Sequence, residues 1–158
     1  MSRIARLLRF GQRRTVNGVA VRAAGLVVRD EDAVLILSAR FVWGESAPLE
    51  LSEISDLVDD QDREYEPGTW GVRYQEPVSW FFIQVPRPEP DARRLRFVVE
   101  ALTCVPAPLK PATLRLHEFV PYTRDLWTLP PFRTVFGPWE FDVPLRRPRT
   151  RTDRPGRE

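Results

Sequence analysis

Residues 136–145 read FGPWEFDVPL, and the alternation within this stretch decides the fold class. Trp139, Phe141 and Val143 are apolar, and the residues between them, Glu140 and Asp142, are acidic. A period of two places the apolar side chains on one face of a β-strand and the charged ones on the other. We therefore expect this stretch to close a β-sandwich, with its apolar face turned toward the core.

The same alternation predicts a hairpin near the start of the chain. Val19, Val21 and Ala23 alternate with smaller or polar residues until Gly25 interrupts the pattern. A glycine inside a strand pattern indicates a β-bulge or a close backbone approach. A polar turn at 29–32 follows, and residues 33–42 form the second strand of an antiparallel pair.

Further strands are predicted in the middle of the chain. They cover residues 72–74, 78–85, 95–101 and 113–120. The stretch 78–85 is apolar on both faces, which is typical of a central strand covered on each side. Prolines make 121–138 an irregular loop. Residues 51–58 have helix-like apolar spacing, although short strands around an acidic turn fit them as well.

Together these patterns predict an all-β fold. About seven short strands separated by turns, with no convincing helix, favour an antiparallel β-sandwich or barrel over residues 15–145. A chain of 158 residues has the size of one domain. The Arg- and Pro-rich residues 146–158 have almost no apolar content, so we expect a disordered tail there.

The basic segment 1–14 allows several interpretations. Ile4, Leu7 and Leu8 share one face of a helix. The arginines of the opposite face are Arg3, Arg6 and Arg9. This pattern suits a short amphipathic helix on an anionic membrane or a partner. A solvated extension and an organelle-type presequence fit it too. The segment lacks the apolar stretch and cleavage site of a secretory signal, and no run in the chain approaches the ~18 apolar residues of a membrane span.

Charge is unevenly distributed, and this bears on the class of partner. Residues 1–22 hold six arginines and no acid, whereas residues 23–143 hold 12 basic and 20 acidic side chains. Six more arginines follow within residues 144–158. A nucleic-acid-binding domain is positive on its folded body. An acidic body therefore argues against nucleic acid, and leaves the two ends for any contact with phosphate.

The acidic segment 59–66 is the one candidate metal site. Its carboxylates are Asp59, Asp60, Asp62, Glu64 and Glu66. Carboxylates at alternating positions are suitable Ca²⁺ ligands. An EF-hand loop counted from Asp60 would need glycine at its sixth position and glutamate at its twelfth, where Tyr65 and Gly71 stand. We expect a solvated turn, and calcium binding stays open.

No motif identifies catalytic chemistry. The one histidine, His117, lies in a predicted strand, and there is neither a nucleophile elbow nor a His/Cys metal set. Glu100 and Glu118 are carboxylates of the kind that glycoside cleavage holds ~5–9.5 Å apart, but nothing selects them from the other acids. We expect a protein that is not an enzyme and needs no cofactor.

Tryptophans are the candidate contact residues. Trp43, Trp70 and Trp127 lie in loop-like segments near glycine or proline, where an exposed cluster would mark a ligand or protein interface. These tryptophans could equally pack into the core at the ends of the sandwich. Trp80 and Trp139 lie in alternating strands, so we expect both in the core.

Four motifs, taken in order, resemble a known family. They are VNGVAV at 16–21, DDQDREY at 59–65, PDARRLRFVV at 90–99 and GPWEF at 137–141. The set is similar to immunoglobulin-like domains on the extracytoplasmic side of bacterial membrane-anchored proteins, some of them anti-sigma factors. The resemblance covers roughly residues 15–145. It implies an immunoglobulin-like antiparallel β-sandwich of about seven strands, with a binding or structural role and no catalytic residue. Those domains usually follow a membrane helix or signal, and Arg63 here replaces their usual turn glycine.

We therefore expect a bacterial interaction or structural module whose partner is another protein. Contact would use a sandwich face, an exposed strand edge or a loop-end aromatic patch. The first alternative is a carbohydrate-binding module using Trp43, Trp70 and Trp127. The second is attachment of the basic ends to an anionic membrane or nucleic acid, weakening with salt. The absence of a signal or span predicts a cytoplasmic location, whereas the resemblance implies an extracytoplasmic one.

Overall fold

Eight antiparallel strands in two sheets make up the structure, a computed structural model that describes residues 4–43, 47–104 and 133–146. The strands are β1 (Ile4–Val16), β2 (Val19–Arg29), β3 (Asp32–Phe41), β4 (Leu49–Asp59), β5 (Trp70–Gln75), β6 (Val78–Pro86), β7 (Arg94–Cys104) and β8 (Arg133–Pro144). The described residues contain no helix, and nothing in those ranges could cross a membrane as one. The prediction of an all-β, sandwich-like fold is confirmed.

The two sheets differ in size and enclose one core. One sheet has five strands in the order β1-β2-β3-β6-β5, and the other has three in the order β4-β7-β8. Alternate residues of each strand point between the sheets, and most of these are apolar and fully buried. The largest of them are Trp139, Phe81 and Phe97.

Strand β8 contains the stretch that predicted the fold. Trp139, Phe141 and Val143 are buried, and Glu140 and Asp142 are exposed, as the alternation requires. The strand begins at Arg133, so the prediction of an irregular loop is wrong for residues 133–138. There a register shift places two residues of β8 opposite one of β7. That bulge, at the edge of the sheet, accommodates Pro138.

Residues 4–14 also depart from the prediction, because they belong to β1. Asn17 and Gly18 have φ angles of 50° and 76°, which suit the two-residue turn that Asn-Gly favours in hairpins. This turn lets β1 pair with β2 along its length, and Leu8 and Phe10 pack against the core. The interpretations as a helix or a free extension are therefore wrong here, and the described domain begins at Ile4 rather than at residue 15.

Strand β1 also joins the two sheets along one side. The Gln12 side chain donates from Nε2 to the carbonyl oxygen of Asp142 on β8, and its Oε1 accepts from the Asp142 backbone N–H. Asn17 donates from Nδ2 to the carbonyl oxygen of Phe136 at 2.6 Å. These side-chain bonds connect the edge of the five-stranded sheet to that of the three-stranded sheet.

The middle of the chain follows the predictions in part. The strand around 72–74 is confirmed as part of β5, and that around 95–101 as part of β7. Residues 51–58, which have helix-like spacing, lie in β4, where several register shifts against β7 break the strict alternation. The predicted strand at 113–120, the rest of the predicted loop at 121–132 and the tail from 147 onward lie outside the described residues.

Strand β6 is a central strand as predicted, but no other layer of the described residues covers its outer side. Phe81 and Ile83 point into the core, whereas Phe82 points away from it and is 38% exposed. Trp80 shares that outer side and is half-buried. The prediction that Trp80 lies in the core is therefore wrong, while the same prediction for Trp139 is confirmed.

The predicted hairpin of β2 and β3 is present, with a register shift at Gly25. A Cβ atom added at Gly25 would lie 2.7 Å from the backbone carbonyl oxygen of Leu8, closer than contact allows. That oxygen belongs to the neighbouring strand β1 and cannot rotate away. Gly25 is therefore needed for β1 and β2 to approach each other.

We expect Gly25→Ala to lower the free energy of unfolding by about 1–3 kcal/mol, because the added methyl group forces β1 outward. Urea denaturation of the full chain measures this. Gly11→Ala is the matched control, since an added Cβ there meets no atom within 4 Å. Equal losses in the two variants would contradict the close approach.

Candidate interaction surface

The acidic segment 59–66 forms a hydrogen-bonded turn around Asp59. The Asp59 carboxylate is fully buried, and its Oδ1 accepts from the backbone N–H groups of Gln61 and Arg63 at 2.8 and 3.1 Å. Its Oδ2 accepts from Arg63 Nε and from the Tyr65 hydroxyl, each at 2.7 Å. Asp60 Oδ1 accepts from the backbone of Arg93 at 2.8 Å. Across the described part of the chain, no group of three or more candidate ligands could hold a metal ion.

Two opposing effects act on the pKa of Asp59. Burial by itself raises the pKa of this carboxyl, but hydrogen bonds from Tyr65, from the Arg63 side chain and from two backbone N–H groups outweigh it and lower the pKa to about 2. The ionised carboxylate is thus favoured by the fold. Because the Tyr65 hydroxyl also accepts from the Glu89 N–H, the turn is connected to the loop before β7.

We expect Asp59→Asn to lower the free energy of unfolding at pH 7 by about 2 kcal/mol or more. Because the pKa of Asp59 is lower in the folded chain than its ordinary value near 4, the ionised carboxylate stabilises the fold above about pH 4. This stabilisation is lost as the pH falls toward 2. The difference in the free energy of unfolding between the native chain and the variant should therefore become smaller between pH 4 and pH 2.

Chemical denaturation at a series of pH values measures this difference. Asp91→Asn is the control, because Asp91 is an exposed partner of the same Arg63 and its pair should contribute less than ~1 kcal/mol. A difference that stays constant down to pH 2 would contradict the role of the ionised Asp59.

Of the candidate catalytic residues, the structure describes Glu100 alone. Glu100 accepts a hydrogen bond from the Ser55 hydroxyl at 2.6 Å on the outer side of the three-stranded sheet. Glu118 and His117 lie outside the described residues. A shallow depression of about 600 Å³ on the same sheet has mixed charges, and its Arg96 is paired with Asp62.

The candidate tryptophans do not form one patch. Trp43 follows β3 and is 74% exposed, and Trp70 begins β5 and is 42% exposed. Trp70 pairs with Ile83, which lies opposite Leu35 near the start of β3. The six residues from there to the end of β3 span about 20 Å, so these two tryptophans lie at opposite ends of the sheet. Trp127 lies outside the described residues.

The arginines of the basic segment are also separated. Arg9 lies opposite Gly25 on the side of β1 that points away from the core. Arg6 lies opposite the buried Val28, and it lines a small depression with Arg87 and Arg146 at one end of the sandwich. Arg3 lies outside the described residues. The common helical face predicted for these arginines is therefore wrong, because a strand sends Arg6 and Arg9 to opposite sides.

The outward side of the five-stranded sheet carries a surface that the sequence did not reveal. We call it the outer face. Its apolar band consists of Leu7, Val27, Val34, Ile36, Trp80 and Phe82, and its arginine rim consists of Arg9, Arg13, Arg22, Arg40 and Arg73. The strand pairing brings these residues together from all five strands.

The apolar band runs across β1, β2, β3 and β6. Leu7 lies opposite Val27, which lies opposite Val34. In the next row Ile36 lies opposite Phe82. Leu7 and Phe82 are 41% and 38% exposed, and the other members are half-buried by their neighbours. The band is therefore continuous and accessible.

The arginine rim flanks this band. One row across the sheet contains, in order, Arg13, Arg22, Ser38, Trp80 and Arg73. Arg9 and Arg40 lie in the rows on either side of it. Among the described residues of the outer face, Asp32 is the one carboxylate, and its Oδ1 accepts from Arg29 Nε at 2.6 Å.

Comparisons with known proteins supply no relative. No protein-family model matches the chain, and neither a curated protein nor a solved structure matches it.

Proposed function

We propose that this chain is a non-enzymatic protein-recognition module whose binding surface is the outer face. The observation that carries the proposal is the apolar band, which is exposed on a sheet face that no other layer of the described structure covers. Exposed apolar surface of this kind is costly in water and is typical of a face that a partner covers.

The shape and composition of the outer face support a protein partner. The band crosses four strands, or about 14 Å between the outer two at the usual strand spacing. It is rich in aromatic and branched side chains at its centre and in arginine at its margin. Protein interfaces have the same arrangement, with an apolar core, a polar rim, and aromatic residues and arginine enriched.

The strand order supports an immunoglobulin-like relationship for the module. If β2 is taken as the first strand, the five-stranded sheet contains the A-B-E-D order of constant-type immunoglobulin domains and the other sheet contains the C-F-G strands. Strand β1 is then an addition at the edge. The sequence resemblance to extracytoplasmic bacterial domains points the same way and suggests the cell envelope as the place to look for the partner.

The two alternatives have less support. A carbohydrate platform of Trp43 and Trp70 would require rings that lie together, and these lie at opposite ends of the sheet. Attachment through basic ends loses part of its basis, because residues 4–14 are built into β1. Of the arginines in β1, Arg9 and Arg13 lie on the outer face, where they flank apolar residues.

We expect a photo-reactive phenylalanine analogue at position 82 to form a covalent adduct with one polypeptide in host cells, since that ring would lie within the interface. Mass spectrometry of the adduct identifies the partner. The same analogue at position 136 is the control, because Phe136 is 65% exposed but belongs to the other sheet. Absence of any polypeptide adduct at position 82, or the same adduct at both positions, would contradict the proposal.

A further inference from the structure

We infer that the partner of the outer face presents an apolar centre flanked by aspartate and glutamate. This inference depends on the proposed function, because it specifies the chemistry of the protein bound at that same face. It comes from the charges of the outer face, which are unusual for a sheet surface in two respects.

First, two arginines lie directly opposite each other. Arg13 of β1 faces Arg22 of β2 across the pairing. Like charges at directly opposed positions destabilise a sheet, and neither arginine has an ion-pair partner among the described residues. A sequence that breaks a local rule without compensation commonly does so at a functional site.

Second, five arginines share the rim, and the described part of the outer face has a single carboxylate, Asp32, which is paired with Arg29. The described residues provide no ion pair for the arginines of the rim.

A protein partner would change the surroundings of these arginines. When it covers the apolar band, it also removes water from the guanidinium groups at the margin. A guanidinium without water needs an anionic acceptor, and a carboxylate matches its paired N–H donors. Carboxylates around an apolar centre would therefore complement both parts of the outer face.

Other occupants are outcomes of the test or fit less well. A lipid bilayer could also contact apolar side chains and arginines, and a lipid adduct at position 82 would identify it. Nucleic acid would leave the apolar band uncovered. A second copy placed face to face would set arginine against arginine, and one placed head to tail would use a different surface of the next copy and form a ring or an open filament. An acidic protein surface satisfies the whole face.

The test uses the partner identified by the adduct at position 82, purified and titrated against the full chain at ~0.05 and ~0.5 M NaCl. The variant Arg22→Glu with Arg73→Glu reverses two charges of the rim. The control Arg87→Glu with Arg93→Glu makes the same change in charge away from the outer face. Thermal unfolding verifies that each variant folds, and Arg22→Gln with Arg73→Gln provides a milder variant.

We expect the rim reversal to weaken binding about 100-fold at low salt and much less at high salt, with an intermediate loss for the glutamine variant and a change under about twofold for the control. If the partner binds with an affinity that neither salt nor the rim reversal changes, this inference is overturned while the proposed function stands. An adduct with a second copy would overturn this inference, and a lipid adduct or no adduct at position 82 would overturn both.

Discussion

The indole of Trp139 fixes how the two sheets meet. Its ring is fully buried in β8, and its Nε1–H donates to the carbonyl oxygen of Val19 in the opposite sheet at 3.0 Å. A buried indole needs a partner for its one donor, and here the partner is backbone of the facing sheet. The position of β8 is thereby tied to the start of β2, where the hairpin with β1 begins.

The hydrogen bond between Trp139 and Val19 lies next to the turn that positions β1 in the outer face. The Asn17–Gly18 turn sends β1 back along β2, and Gln12 and Asn17 bind the backbone of β8. Strand β1 then lies at the edge of the five-stranded sheet and contributes Leu7, Arg9 and Arg13 to the outer face. Without β1 the face would lose part of its apolar band and two of its arginines. At the far end of the molecule the buried Asp59 holds the turn between β4 and β5 without contributing to that face.

The sequence predicted the sandwich because its main determinants are local. In residues 139–145 apolar residues occupy every second position, and burial of Trp139, Phe141 and Val143 matches that pattern. The N-terminal strand was missed because Ile4, Leu7 and Leu8 also fit a helix. Pairing with β2 makes this segment a strand, and the segment's own pattern does not show that pairing. The Asn17–Gly18 pair was an available signal, since Asn-Gly is a strong hairpin turn.

The outer face could not be predicted from single segments. Its residues come from five strands, and only the register places Arg13 opposite Arg22 or Ile36 opposite Phe82. The apolar character of residues 78–85 on both faces was visible, but it indicated a covering layer rather than an exposed surface. The candidate tryptophans were chosen from loop composition, which does not tell at which end of a sheet a loop lies.

The most direct test of this account is amide hydrogen exchange over residues 4–16. The outer face exists as described only if these residues form a strand paired with β2. We expect the β1 amides that bond to β2 to exchange about 100-fold or more slowly than in an unfolded chain, as for other strands of the sandwich. Exchange at the unfolded rate throughout residues 4–16 would show that the segment is free, and would contradict both the fold at this edge and the surface built on it.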